Sequence, residues 1–239
     1  MKLLADLHVH SSASIDAGSG LDELILAAKK RGLDAITISD HDLCTPLPAA
    51  DGLLLIPGVE ITSANGHILG LFLDRPIDFS SLGKYPAPER AIREIHACGG
   101  LAVLAHPFAP QKLPPEKIAA LGLDAIETAN ARAMLKPGAN EKARALAASR
   151  SLPQTGGSDA HCAKELGGCV TEFSCERSSS ALKQALAAGQ CRAMEVRACK
   201  WVWKGRSIIR RERHIGSFGS RCRALVYFCA CVLRDIFHV

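Results

Sequence analysis

Short apolar, β-branched runs alternate with stretches of helical period along this chain, and run after run ends in a histidine or a carboxylate. Asp6-Leu7-His8-Val9-His10 sets the pattern. With the two-residue repeat of a strand, Asp6, His8 and His10 share one face while Leu7 and Val9 point into apolar packing. A polar loop over 11–20 carries Asp16 and leads into an amphipathic helix from 21 that stops at Gly32. Residues 35–39 read as a strand ending in Asp40-His41-Asp42, 53–61 as a buried strand holding Glu60, and 67–73 as a strand with His67 at its mouth. The strand over 101–105 closes with His106-Pro107, and the proline predicts extended backbone at His106. Strands at 125–128 and 171–173, helices at 89–97, 115–121, 140–149 and 179–188, and an Asp159-Ala160-His161 segment that repeats the opening spacing complete the series. Strands alternating with helices predict parallel pairing through right-handed crossovers. About seven such units give a barrel or a strongly curved sheet, and 239 residues suffice for one large α/β domain.

Of nine histidines, six (His8, His10, His41, His67, His106 and His161) fall at predicted strand ends, the rim where parallel α/β folds collect functional groups. Glu60 adds a charge inside an apolar run, where it is costly unless paired or bound to metal. With Asp16 and Asp159 these make nine imidazole or carboxylate ligands, enough for three cations if one carboxylate bridges. Mixed nitrogen and oxygen donors favour Zn, Mn or Fe over Ca or Mg.

These segments resemble the five signatures of the PHP (polymerase and histidinol phosphatase) domain family, in order: D-x-H-x-H at 6–10, S-D-H-D at 39–42, P-G-V-E-I-T at 57–62 followed by G-H-I-L-G at 66–70, A-H-P at 105–107 and G-S-D-A-H at 157–161. The resemblance implies an α/β fold, a distorted (β/α)7 TIM-like barrel over residues 1–195 with a short basic C-terminal extension over 196–239. It implies three divalent metal ions: His8, His10, Glu60 and Asp159 around the first, Glu60, His67 and His106 around the second, and Asp16, His41 and His161 around the third, with Glu60 bridging. It implies hydrolysis of phosphoesters by a hydroxide shared between cations, with Glu60, Asp159, His41 and His161 closest to the chemistry. The loop around Asp16 is one residue longer than the commonest S-D-G form, and the segment between His67 and His106 lacks a helical insertion that some nucleotide-cleaving members carry.

For the substrate phosphate the candidates are Arg132, just past one strand end, and Lys164, just past His161, with Ser11, Ser12 and Ser158 beside them; the competing reading of each is an ordinary polar surface group. Asp6, Asp40 and Asp42 are candidates to orient ligating imidazoles, Asp42 doubling as a turn residue.

The net charge of +5 is unevenly divided. Residues 196–239 hold ten Lys or Arg against Glu212 and Asp235, a balance of +8, which leaves −3 for residues 1–195. A basic tail suits a phosphate-bearing partner. Trp201 and Trp203, flanked by Lys200 and Lys204, read as a strand packing against the barrel, with stacking on nucleic-acid bases as the alternative. Ten cysteines without a C-x-x-C pair, no secretory leader and no apolar run long enough for a transmembrane segment predict a reduced, cytoplasmic protein. Three functions stay open: a phosphatase or phosphodiesterase acting on a small phosphorylated metabolite or nucleotide, a single-stranded nucleic-acid exonuclease that grips its substrate with the tail, and a metal-bound but inactive interaction module.

Overall fold

In the computed structural model, which describes residues 2–109, 118 and 120–237, the opening motif closes β1 (Lys2–Val9), an interior strand of one continuous sheet, with His10 just past its end. After α1 (Leu21–Lys30) come β2 (Ala35–Ile38), β3 (Leu54–Ser63) and β4 (Gly66–Leu71). Next follow α2 (Phe79–Leu82), α3 (Pro88–Ala97), β5 (Leu101–Leu104) and β6 (Ala125–Asn130), then a 3-10 turn at Ala133–Leu135, α4 (Ala139–Arg150) and β7 (Gln154–Gly157). The barrel portion closes with β8 (Cys169–Ser174), α5 (Ser179–Ala187) and β9 (Cys191–Glu195). The helix expected over 115–121 falls mainly outside the described residues.

The nine strands run in the order β7-β6-β5-β4-β3-β2-β1-β8-β9, and the sheet curls into a nearly closed barrel. Pairing is mixed where the alternating pattern predicted parallel strands throughout. β1 with β2, β2 with β3, β5 with β6 and β6 with β7 are parallel, whereas β3–β4, β4–β5, β1–β8 and β8–β9 are antiparallel. The reason is loop length: only Ala64-Asn65 separates Ser63 from its partner Gly66, and a two-residue connection permits a hairpin but no crossover. The hairpin places His67, at the start of β4, on the same rim as the ends of β1, β2 and β3.

Closure depends on two glycines. A Cβ on Gly156 would run into the Val170 carbonyl and one on Gly157 into the His8 side chain, so only bare backbone lets β7 approach β1 and β8. Gly156 N then donates to Thr171 Oγ1 at 2.8 Å, and Val9 bridges Ala160. Beneath the rim, Leu3, Leu7, Ile56, Leu69, Leu71 and Phe173 fill the interior and are fully buried.

The basic tail is helical, contrary to the expected strand. α6 (Trp201–Ile215) and α7 (Phe218–Phe237) form a hairpin folded against the barrel. Its stabilising contacts are remote in sequence: Asp235 near the end of α7 accepts from the backbone N–H groups of Trp201 and Val202 at 3.0 and 2.8 Å, capping α6. Gly205 gives Phe228 and Cys231 room to pack. No described helix is long and apolar enough to cross a membrane.

Candidate metal centre

Strand direction brings all nine expected ligands to one rim, around Glu60. Its carboxylate is 1% exposed. Oε1 lies 2.8 Å from His67 Nδ1 and 3.1 Å from His106 Nε2. Oε2 lies 3.3 Å from His8 Nε2 and 3.2 Å from both His10 Nε2 and His41 Nδ1. Asp159 Oδ1 stands 3.7 and 3.5 Å from the Nε2 atoms of His8 and His10, and Asp16 Oδ2 stands 3.2 Å from His161 Nε2 and 3.6 Å from His41 Nε2. His106 departs from expectation in its backbone: φ is +28°, in the left-handed region, and Asp159 has φ +54°. Such conformations persist where surrounding bonds over-determine them. For His106 that bond runs from its N–H to Glu127 Oε2 at 2.9 Å.

The imidazoles are aimed by bonds to their far nitrogens. His8 Nδ1 donates to Glu127 Oε1 at 3.0 Å, leaving the Nε2 lone pair facing the centre. His10 Nδ1 lies 3.3 Å from Ser14 Oγ, which donates in turn to Asp40 Oδ1 at 2.8 Å. His161 Nδ1 donates to the Asp159 carbonyl at 2.9 Å. Asp40 also accepts from Ser11 N and Oγ, both at 2.7 Å, and so pins the loop after β1. Asp6 accepts from Ser158 N and Oγ and from Gly167 N, and burial pushes its carboxyl up to about 6 against those donors. Asp42 acts as a turn residue, at φ +52° and accepting from Thr62 N.

Glu127 was not singled out among the sequence candidates. It is buried, contacts both His8 and His106 N, and accepts from Asn130 Nδ2 at 3.0 Å. The signal that could have found it was the one used for Glu60, a carboxylate inside an apolar strand.

The donor set fits divalent cations. Glu60 Oε2, His41 Nδ1 and Asp16 Oδ1 are buried without a hydrogen-bond partner, although three imidazole nitrogens stand within 3.3 Å of that Glu60 oxygen. Among the described residues, four triads bring ligand atoms within 4.8 Å of one another: His10-His41-His161, His8-His10-Asp159, His8-His106-Glu127 and His41-Glu60-His67. The electrostatics agree. Burial opposes protonation of His8 and His10, yet the adjoining carboxylates raise both, His10 to about 9, while burial is outweighed by neighbouring imidazoles at Glu60 and Asp159, which are held well below the ordinary range. Burial and the nearby Arg132 guanidinium lower His161, favouring the neutral ring a metal requires.

Neither proposed phosphate contact reaches into this cluster. Arg132 is partly buried, its Nη2 bonded to both Glu165 oxygens at 2.8 and 3.0 Å and its Nη1 to Ser207 Oγ at 2.9 Å. Lys164 is exposed, its ammonium 5.2 Å from the centroid of Trp203. A cavity of about 230 Å³ beside the cluster is bounded by Asp16, His161, Lys164 and the α6 residues Trp203, Arg206 and Arg210.

The family described as PHP domain matches residues 6–86, and the one described as PHP-associated matches residues 137–191. An uncharacterised protein of Methanocaldococcus jannaschii is 32% identical over 144 residues, covering 53% of this chain and 81% of that protein. The chain belongs to the PHP family. Among solved structures, a two-domain protein from Bacteroides vulgatus, containing a predicted PHP-like metal-dependent phosphoesterase, superposes with a TM-score of 0.63 at 25% identity over 82% of this chain. This PHP chain spans 65% of that protein's length. The lesion-specific endonuclease PfuEndoQ from Pyrococcus furiosus shares the fold at 17% identity and a TM-score of 0.57, over 81% of this chain and 58% of that one.

Proposed function

We propose that this PHP protein hydrolyses phosphoester bonds of a small phosphorylated metabolite or nucleotide at a centre of three divalent cations, Mn, Zn or Fe. The observation that carries the reading is Glu60: one buried carboxylate within 3.3 Å of nitrogens from five histidines, with an oxygen that no donor satisfies. His8, His10, Glu60 and Asp159 would hold one cation, Glu60, His67 and His106 a second, and Asp16, His41 and His161 a third. Bound there, the cations supply Lewis acidity, acidifying water and neutralising phosphate charge.

The chain's own residues prepare that chemistry. Glu127, Ser14 and the Asp159 carbonyl each fix a proton on the outer nitrogen of an imidazole, so the inner nitrogens present lone pairs. Burial of His8, His10 and Glu60 keeps bulk water from competing for these groups. Asp16 and His161, on the cavity side, mark the edge from which a substrate enters.

A nucleic-acid substrate is the second reading, favoured by the basic α6 helix that borders this edge. The deciding experiment measures metal content of protein purified without chelator together with phosphate release from mononucleotides, bisphosphates, histidinol phosphate and short oligonucleotides, beside Glu60→Ala and His106→Ala. Turnover in wild type and its loss in both folded variants is expected. Equal rates in wild type and variants would overturn the assignment, and stoichiometric metal without turnover on any ester would make the protein a binding module.

A further inference from the structure

Helix α7 is apolar on two sides, and only one of them has a partner. Ala224 and Cys231 are buried on the side facing α6, where Phe228 and Cys231 pack on Gly205. On the opposite side Phe218, Leu225, Val226, Leu233, Ile236 and Phe237 are each more than half exposed. They recur three or four residues apart, with the exposed Cys222 and Cys229 between them, and so form one stripe along 20 residues of helix. Single apolar side chains on a surface need no explanation, but a continuous stripe does.

The borders of the stripe are cationic. By helical spacing Arg223 and Arg234 stand along one edge and Arg221 along the other. Arg221 donates to the Glu212 and Arg213 carbonyls at 3.1 and 3.0 Å, the Arg234 guanidinium lies 4.4 Å from the centroid of Trp201, and none of the three arginines pairs with a carboxylate among the described residues. The two acids of the hairpin are occupied elsewhere: Glu212 pairs with Arg211 at 3.0 Å and Asp235 caps α6.

Charge therefore selects the occupant. A second copy of α7 laid on the stripe would bring arginine borders against arginine borders in either orientation, with no free acid to receive them. An anionic lipid surface receives both parts, since the stripe enters the acyl boundary while arginine stems reach back to the headgroup phosphates. We propose that the exposed stripe of α7 docks this protein on an anionic lipid surface, the helix lying in the plane of the interface with Arg221, Arg223 and Arg234 at headgroup level. The helix is not long and apolar enough to cross instead. α6 stands between α7 and the metal rim, turning Gly205 to α7 and Trp203, Arg206 and Arg210 to the cavity, so docking leaves that edge open.

The test is flotation of the full chain with mixed phosphatidylcholine–phosphatidylserine vesicles and with phosphatidylcholine vesicles alone. Affinity for the mixed vesicles should be about tenfold or more higher and should fall with added salt. Val226→Ser/Leu233→Ser, at two exposed positions, should cut binding to mixed vesicles by about tenfold or more, and Arg223→Gln by about fivefold. Phe218→Ser, at a position 85% exposed, serves if the double variant does not fold. Flotation equal on both vesicle types, or unchanged in the folded stripe variants, would overturn the proposal. So would absence of flotation with mixed vesicles, and sedimentation without lipid then names the rival: a dimer that Val226→Ser/Leu233→Ser dissociates would give the stripe to a second copy.

Discussion

Glu127 Oε1 accepts the Nδ1 proton of His8 at 3.0 Å, while the other oxygen of the same carboxylate accepts the backbone N–H of His106 at 2.9 Å. One acid on β6 thus orients a histidine on β1 and holds the strained backbone beneath another after β5. Glu127→Ala is expected to weaken metal binding by roughly 10–100-fold. Titration of the apo variant with Zn or Mn, followed by calorimetry, measures it; wild-type affinity would show that His8 needs no such partner.

Metal removal should destabilise the fold as well as silence it. Without cations the rim crowds Glu60, Asp159 and Asp16 against six imidazoles and leaves Glu60 Oε2, Asp16 Oδ1 and His41 Nδ1 buried without a partner. A ligand present at 100 times its Kd stabilises by about 2.7 kcal/mol. A chelator should therefore lower the melting temperature by several degrees, reversibly on adding Mn or Zn. An unchanged melt would speak against ion binding by the folded state.

Glu165 joins the tail to the centre, accepting from Arg132 and from His161 N at 2.8 Å. Glu165, itself buried, faces an Arg132 side chain only 10% exposed, so Glu165→Gln would leave that charge without its carboxylate, a loss on the order of 3 kcal/mol in chemical denaturation. A loss below about 1 kcal/mol, the range of exposed pairs, would mean water reaches that guanidinium.

Glu195 yields a pH dependence away from the metal cluster. Burial raises its carboxyl, but the Arg144 guanidinium at 2.7 Å and the Asn140 amide at 2.9 Å outweigh it and hold the group below its ordinary value. A depressed carboxyl contributes stability that is present above 4.5 and lost as pH falls through the folded value. Because both partners are partly exposed, Glu195→Gln should lower stability by only about 0.5 kcal/mol at pH 7. Urea unfolding at pH 7 and pH 3 should show the gap closing in acid; a gap that persists there would assign the effect to packing.

The sequence by itself determined the strand positions, because a two-residue repeat and a run of β-branched residues are local properties, and most of the metal-type donors fell at the ends of those runs. It likewise marked His67 as a ligand candidate without showing that β4 runs backwards. Tertiary structure decided the rest. Glu127 became part of the centre through contacts with β1 and the segment after β5, and the tail became a hairpin because Asp235 caps a helix more than thirty residues earlier in the chain. Arg132 was drawn to Glu165 and Ser207. Periodicity reports which face a side chain occupies along its own element; it carries no record of which distant charge or backbone group will meet that face once the sheet has curled.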